Sequence, residues 1–379
     1  MLRIFAAPAR YVQGKNALDY LSEELQDVGL QGTALVVVSK SAEKATGQRW
    51  VDSLKQAHMK WEVEKFSGEC SDKEIERLSS IAQRLKVDFL IAIGGGKTID
   101  ATRAAADKLN KEVIVCPTIA STDAPCMGFS IIYTEKGEIL EKRIFRRNPV
   151  LVLVDTGVIA RSPKRFFVAG MGGAIAAYYE ARVCKDNYVE NPHGGISTEA
   201  GISLAKLCRD TLFRDGAQAL RAIEQQTVSP ALERVVEANT LLASLAVELC
   251  GLSAAHAIHN GLTTVSGTSS YYHGEKTAFA LLAQLILEGR SAREINELLG
   301  FYRDVGLPMT LDQIGVSRPT QELLERIAER VVRNDESIHV EPFKVTSEMV
   351  IDALKTADHT GRRFLEETQS SSEGWFRAA

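Results

Sequence analysis

The first 160 residues alternate between two hydrophobic rhythms. Short runs rich in Val, Ile and Leu occur at 33–40 (TALVVVSK), 87–94 (VDFLIAIG), 111–118 (KEVIVCPT) and 149–156 (PVLVLVDT). Each ends in glycine or polar residues. Between them lie amphipathic patterns such as SDKEIERLSSIAQRLK at 71–86. Near-continuous apolar runs separated by helices predict a parallel sheet covered on both faces. The stretch 129–145 (FSIIYTEKGEILEKRIF) differs: two β-type runs flank EKGE, which predicts a hairpin with Gly137 in its turn. After residue 160 the period becomes helical. Ala/Leu/Glu-rich segments cover 164–184, 197–224, 229–249, 251–266, 274–289, 292–305, 320–334 and 346–367, punctuated by Pro192, Gly194, Gly195 and Gly267. The pattern predicts an α/β domain over 1–160 and an all-helical domain over 161–379, with a ligand cleft between them. The tail 368–379 is expected to fray.

Composition narrows the partners. The chain has 379 residues, 45% hydrophobic and 25% charged, with a net charge of -4. That balance attracts neither nucleic acid nor an anionic membrane. The basic cluster EKRIFRRNP at 141–149 reads as a solvated face. The N-terminus lacks an apolar core of signal-peptide length, and no run of about 18 apolar residues occurs, so no membrane span is expected. Cys70, Cys116, Cys126, Cys184, Cys208 and Cys250 form no C-x-x-C pair. They read as small buried hydrophobes in a reducing, cytoplasmic compartment.

The candidate chemistry starts at Gly94-Gly95-Gly96, where a strand opens into a helix followed by Lys97 and Thr98. Glycines let backbone N–H groups approach an anion, and the helix N-terminus adds partial positive charge. Lys97 and Thr98 are further donors, and Asp100 is expected to complement the helix dipole. A Walker A loop would need glycine at 91, where Ile91 stands, and the G-x-G-x-x-G spacing is absent too. The alternative is a plain tight turn. Downstream, PTIASTDAP (117–125) is rich in hydroxyls and carries Asp123. AAHAIHNGLT (254–263) and YYHGEKTAFA (271–280) bring His256, His259 and His273 to two helices joined by a loop. His256 and His259 roughly share a face, and two such helices can aim His256 and His273 at one point. Imidazoles of this kind suit Zn, Fe or Ni, although any one helical histidine is more often structural.

Together these stretches resemble the iron/zinc-containing polyol dehydrogenases of the glycerol dehydrogenase type. The resemblance is carried by PARYVQGKNAL, GGGKTIDA, PTIASTDAP, IIYTEKGE, STEAGISLAKLC, AAHAIHNGLT, YYHGEK and VGLPMTL, and spans nearly the whole chain. It implies a Rossmann-like dinucleotide domain followed by a helical metal domain, the fold of iron-containing alcohol dehydrogenases and dehydroquinate synthases. It also implies a homo-oligomer, NAD as cofactor, a divalent metal such as Zn2+, and a small polyol or diol substrate. By this resemblance Gly96 and Lys97 hold the NAD pyrophosphate, Thr118, Ser121 and Tyr133 contact the cofactor, and Asp123 hydrogen-bonds the polyol. His256 and His273 match two metal ligands, the metal activating the substrate hydroxyl for hydride transfer to the nicotinamide.

Three positions depart from the family pattern. The third metal ligand is an aspartate near a helix start, and AGMGGAIAAYYEAR (169–182) carries Gly173 there. A catalytic zinc keeps three protein ligands and one open position, so metal affinity is expected to fall. Glu180 lies seven residues further along, roughly 10 Å at 1.5 Å per residue, too far to substitute. Asp123 is the better substitute by this reasoning. Where the family often has an aspartate that pairs with the adenosine ribose, Ser39 is followed by Lys40, which opens the site to NADP. Cys126, Met127 and Phe129 are more apolar than the residues common there and are expected to line the nicotinamide and substrate end. Two other readings stand beside this one. A glycerol-phosphate dehydrogenase would want extra basic residues at the pocket, and Gly173 motivates a non-catalytic nucleotide-binding relative.

Overall fold

A computed structural model describes residues 1–377 apart from Lys136, with side chains as far as Thr368. Among the described residues eight strands form two sheets: β1 (Arg10–Gly14), β2 (Thr33–Val38), β3 (Lys60–Lys65), β4 (Phe89–Gly94), β5 (Glu112–Pro117), β6 (Phe129–Tyr133), β7 (Ile139–Ile144) and β8 (Leu151–Asp155). Six are parallel in the order β1-β8-β5-β4-β2-β3, and β6 pairs with β7 antiparallel. Val36, Ile91, Ile114 and Leu151 form one transverse row of the sheet, all fully buried. These are the strands the apolar runs predict. The outer strands β1 and β3 escape that pattern. β3 reads KWEVEK and is largely exposed, with the charges that keep a sheet edge from pairing with another chain.

Helix α1 (Lys40–Thr46) follows β2, α2 (Asp72–Leu85) precedes β4, and α3 (Gly96–Lys108) follows it. Ser71 caps α2 by accepting from the Glu74 amide at 3.4 Å. The helical half contains α4 (Lys164–Asp186), α5 (Glu199–Glu224), α6 (Pro230–Glu237), α7 (Ala243–Cys250), α8 (Ala254–Leu262) and α9 (His273–Leu287). Three further helices, Ala292–Val305, Gln321–Val331 and Ser347–Arg377, pack outside them. The last is helical in backbone through most of the tail expected to fray; side chains beyond 368 and residues 378–379 lie outside the described set. No single described helix is long and apolar enough to cross a membrane. All six cysteines are free and buried.

Two features join the halves. A π turn, Ala238–Leu242, links α6 to α7. It turns Asn239 so that its amide donates to the Ala120 and Phe167 carbonyls at 3.0 and 3.4 Å. The insertion of an extra residue into a helix is a common way to aim a side chain at a site. The second feature is glycine packing. A Cβ on Gly170 would lie 1.9 Å from the Ala120 carbonyl oxygen, and one on Gly172 would lie 2.3 Å from that of Gly274. A Cβ on Gly274 would lie 1.7 Å from the Ala169 carbonyl oxygen. These three glycines let α4 touch both the 118–125 loop and the start of α9.

Candidate functional site

The glycine loop lies where β4 delivers the chain to α3. Gly94 is buried, and a Cβ there would strike the Thr98 side chain at 2.7 Å. Gly95 is the N-cap, and no side chain caps the helix. Its first amides therefore have no side-chain cap, the arrangement that suits an anion. Thr118 is tied to this turn through its amide, which donates to the Gly94 carbonyl at 3.1 Å, and Ser121 is buried just beyond. Thr98 is buried against Gly94 rather than presented outward, a correction to its expected part as a side-chain donor. Lys97 is exposed, paired with Glu69 at 2.6 Å, and 4.8 Å above the Tyr133 ring. Burial and nearby acids, led by Asp100, push the Tyr133 phenol up. Ser39 ends β2 and caps α1, accepting from the Ala42 amide at 3.3 Å.

Asp100 does not sit in the first turn of α3 as expected. It is buried one turn further on, where its carboxylate lies 3.1 Å from Arg103. Burial raises its pKa to about 6, against the pull of Arg103. Arg103, 1% exposed, donates to the Phe129 carbonyl at 2.6 Å and also to that of Ala124. This pair clamps the loop that carries Asp123. From the other side Ser244 of α7 donates to the Asp123 carbonyl. The Asp123 side chain is half-buried, and desolvation raises its pKa against the charge of His256. Met127 and Phe129 do not line the cleft as expected. Both are buried and pack with Ala177, Ala181, Leu245 and Leu249, and Cys126 is buried as well. Apolar side chains on a loop clamped to two helices are drawn into the core they cover.

The histidines converge. Ring centroids of His256 and His273 are 5.2 Å apart, and those of His259 and His273 are 4.3 Å apart. Their tautomers follow from the hydrogen bonds. The Asn260 amide donates to Glu336 at 2.9 Å, which turns its oxygen toward His259 Nδ1 at 3.2 Å. His259 Nδ1 therefore donates, and Nε2 accepts from His273 Nδ1 at 3.0 Å. That leaves His273 Nε2 an acceptor, with the Thr277 hydroxyl at 3.4 Å. His256 Nδ1 donates to Glu180 at 2.6 Å, so in the neutral ring its Nε2 carries the lone pair. Burial lowers the His273 pKa to about 3, with His256 adding to the effect. Burial would lower His256 too, but the Glu180 carboxylate and its hydrogen bond outweigh it and the pKa rises.

Glu180 is the functional residue that sequence reasoning did not place, while His259, grouped from the sequence with the other two histidines, gains a supporting role. Glu180 is fully buried and seven residues from Gly173 on α4. It orients His256 rather than replacing a ligand. A lone carboxylate within GMGGAIAAYYEARV was the available signal, since a buried acid requires partners. His259 is buried and fixes His273.

At Gly173 a Cβ would meet only His273 Cδ2, at 3.9 Å. Unlike Gly170 and Gly172, this glycine is not imposed by packing; there is room for a longer side chain, and none is present. Among the described residues no group of three His, Cys, Asp or Glu side chains is arranged to hold a metal ion. Asp123 does not complete the set, as reasoning from the sequence suggested it would. The two imidazoles and their hydrogen-bonded supports are in place, but the donors do not make a three-ligand metal site.

Residues 8–156 match the family model described as iron-containing alcohol dehydrogenase. The chain is 46% identical to a glycerol dehydrogenase of Thermotoga maritima over 94% of its length and 96% of the relative's. It is 40% identical to a glycolaldehyde reductase of Halobacterium salinarum over 96% and 99%. The structure of glycerol dehydrogenase from Schizosaccharomyces pombe superposes with a TM-score of 0.92 at 34% identity, over 97% of this chain and 93% of that one. With that likeness maintained from end to end, and the same sheet and helix layers beneath it, the chain belongs to the glycerol dehydrogenase group of the iron-containing alcohol dehydrogenase family.

Proposed function

We propose that this chain is an NAD(P)-dependent oxidoreductase that interconverts a small polyol or vicinal diol and its hydroxycarbonyl partner. The observation that carries the reading is one loop, 117–129, bound on one side to the glycine turn and on the other to the helices that bear the histidines. An anion-binding helix start and an imidazole pocket thus share one cleft, in a chain nearly half identical to a glycerol dehydrogenase.

The residues present suit a dinucleotide. The uncapped start of α3 and the amides of Gly95, Gly96 and Lys97 take its pyrophosphate, with Thr118, Ser121 and Tyr133 alongside. When bound, the nicotinamide accepts or returns a hydride. Asp123 accepts a hydrogen bond from a substrate hydroxyl, and its Arg103 and Ser244 anchors keep it in register. His256 and His273 turn their Nε2 atoms to the reacting oxygen, and Glu180 and His259 hold those tautomers. Without a donor at 173 the side chains present do not complete a three-ligand metal site.

Ser39 leaves no carboxylate where β2 ends, and Lys40 follows it, so both NAD and NADP are accepted. A homo-oligomer and a cytoplasmic setting are part of the same reading, the latter supported by six free, buried thiols. Absorbance at the NADH band with glycerol, 1,2-propanediol, dihydroxyacetone and glycolaldehyde tests the proposal. Turnover with at least one pair supports it. NADH binding without turnover on any of them would favour a non-catalytic relative, the alternative that Gly173 motivates.

A further inference from the structure

The glycine turn opens α3, and the far end of the same helix borders a cavity of about 360 Å³. Its walls are the last turn of α3, the start of β5 and residues 145–148. A cavity of that size suits a small molecule. Five basic side chains and two acidic ones line it, in a chain whose net charge is -4. Two of the five, Arg146 and Arg147, come from the basic run EKRIFRRNP. Lys108 is paired with Glu76, and Arg147 with Glu112. The side chains of Lys111 and Arg146 have no hydrogen bond or ion pair among the described residues. The end of α3 does not occupy them either. The amides of Asn110 and Lys111 close it, each 2.9 Å from the carbonyls of Asp107 and Ala106, with Asn110 at a φ of 51°. Arg103 completes the wall; it is buried, and its Nε has no hydrogen-bond partner among the described residues. A buried donor without a partner is costly, and the cavity that Arg103 borders can bring it an acceptor.

The same lining holds the loop that carries Asp123. Arg103 donates to the carbonyls of Ala124 and Phe129. The Asn148 amide donates to the Cys126 carbonyl at 3.0 Å, and the Phe145 backbone N–H donates to that of Gly128 at 2.8 Å. Arg146 lies between Phe145 and Asn148 in the chain. An anion that engages Arg146 and Lys111 therefore ties the segment steadying this loop to the start of β5.

We propose that this cavity is a second ligand site, one that takes a small phosphate monoester and whose occupation steadies the loop bearing Asp123. A guanidinium and an ammonium without partners match the charge of a phosphate dianion, the guanidinium by paired hydrogen bonds. Ala106, Val113 and Phe145 give the organic part an apolar wall. Binding at the two sites is reciprocal: a ligand that orders the Asp123 loop reduces the ordering left for the polyol. That effect on the polyol rests on the oxidoreductase reading above; the site itself does not.

The experiment uses the full chain saturated with NADH, so that the glycine turn is occupied, at fixed ionic strength. Inorganic phosphate and phenyl phosphate are titrated by calorimetry into wild type and the double variant Lys111→Gln/Arg146→Gln. The expected result is one phenyl phosphate per chain, bound more tightly than inorganic phosphate and weakened about tenfold or more in the double variant. Amide hydrogen exchange across 117–129 should slow when phenyl phosphate binds wild type and stay unchanged in the variant. With turnover present, phenyl phosphate should lower the polyol KM of wild type about fivefold, while the two proteins share the same kcat and KM without it. No binding, or equal binding to both proteins, would overturn the site. Inorganic phosphate bound as tightly as phenyl phosphate would overturn the monoester assignment, and binding without slower exchange at 117–129 would overturn the link to the loop. A chain that turns over none of the substrates would overturn the oxidoreductase reading alone, because calorimetry and exchange read the second site directly.

Discussion

Glu180 and His256 form a buried carboxylate–imidazole pair, with Oε2 and Nδ1 2.6 Å apart. The other carboxylate oxygen accepts the amides of Ser253 and His256 at 2.9 and 3.0 Å. One side chain therefore caps the start of α8 and sets the tautomer of its histidine. Support of this kind is costly to remove even though it never touches substrate, with losses of about 10–100-fold in metal or catalytic sites. Glu180→Gln is expected to lower kcat by a factor in that range and leave NADH affinity unchanged. An unchanged kcat would show that the His256 tautomer does not matter.

Gly173 has space around it, and the two imidazoles opposite keep their lone pairs. Gly173→Asp is therefore expected to fold as wild type does and to raise bound zinc to about one ion per chain, as three protein ligands suffice for a catalytic zinc. Helix propensity favours the change by a few tenths of a kcal/mol. Metal analysis after gel filtration checks it. Zinc content equal to that of wild type would mean that the missing carboxylate is not the limiting ligand.

Ser39 sits at the end of β2 as the cap of α1. Ser39→Asp keeps a capping oxygen and adds a charge that repels a 2′-phosphate and pairs with a ribose diol. The ratio of kcat/KM for NAD over NADP is expected to rise about tenfold or more, corresponding to about 1.4 kcal/mol. A ratio that does not move would place the adenosine ribose elsewhere.

Stability at low pH depends on Asp215 of α5, which lies 2.7 Å from both Arg234 of α6 and Arg214. The hydrogen bond from Arg234 is the main cause that holds its pKa down to about 2. The folded value lies below the unfolded one near 4, so the pair stabilises above that pH and its contribution is lost as pH falls toward 2. Both arginines are about half exposed, so about 1–2 kcal/mol is expected at neutral pH. Denaturant titration of Asp215→Asn should show that loss at pH 7 and little difference near pH 2.

The inner sheet and the long helices were legible because burial on both faces writes itself as continuous Val and Ile, and burial on one face as a helical period. The edge strands were not, since β1 and β3 are held by sheet hydrogen bonds that charged residues make as well as apolar ones. Within the site, the glycine loop and the two histidines carry their chemistry in their residue types. The roles of Glu180 and His259 do not, because they are contacts between elements distant in sequence: α4 with α8 and α8 with α9. Met127 and Phe129 misled for the same reason, as apolar character is shared by a substrate wall and by packing.

Turnover and zinc content measured together on one chelated sample bring these threads to a decision. NADH formation from a polyol should proceed with zinc far below one ion per chain and should not rise when Zn2+ is added. A rate proportional to bound zinc, and zero without it, would contradict a site that works with Gly173 in place of an acid.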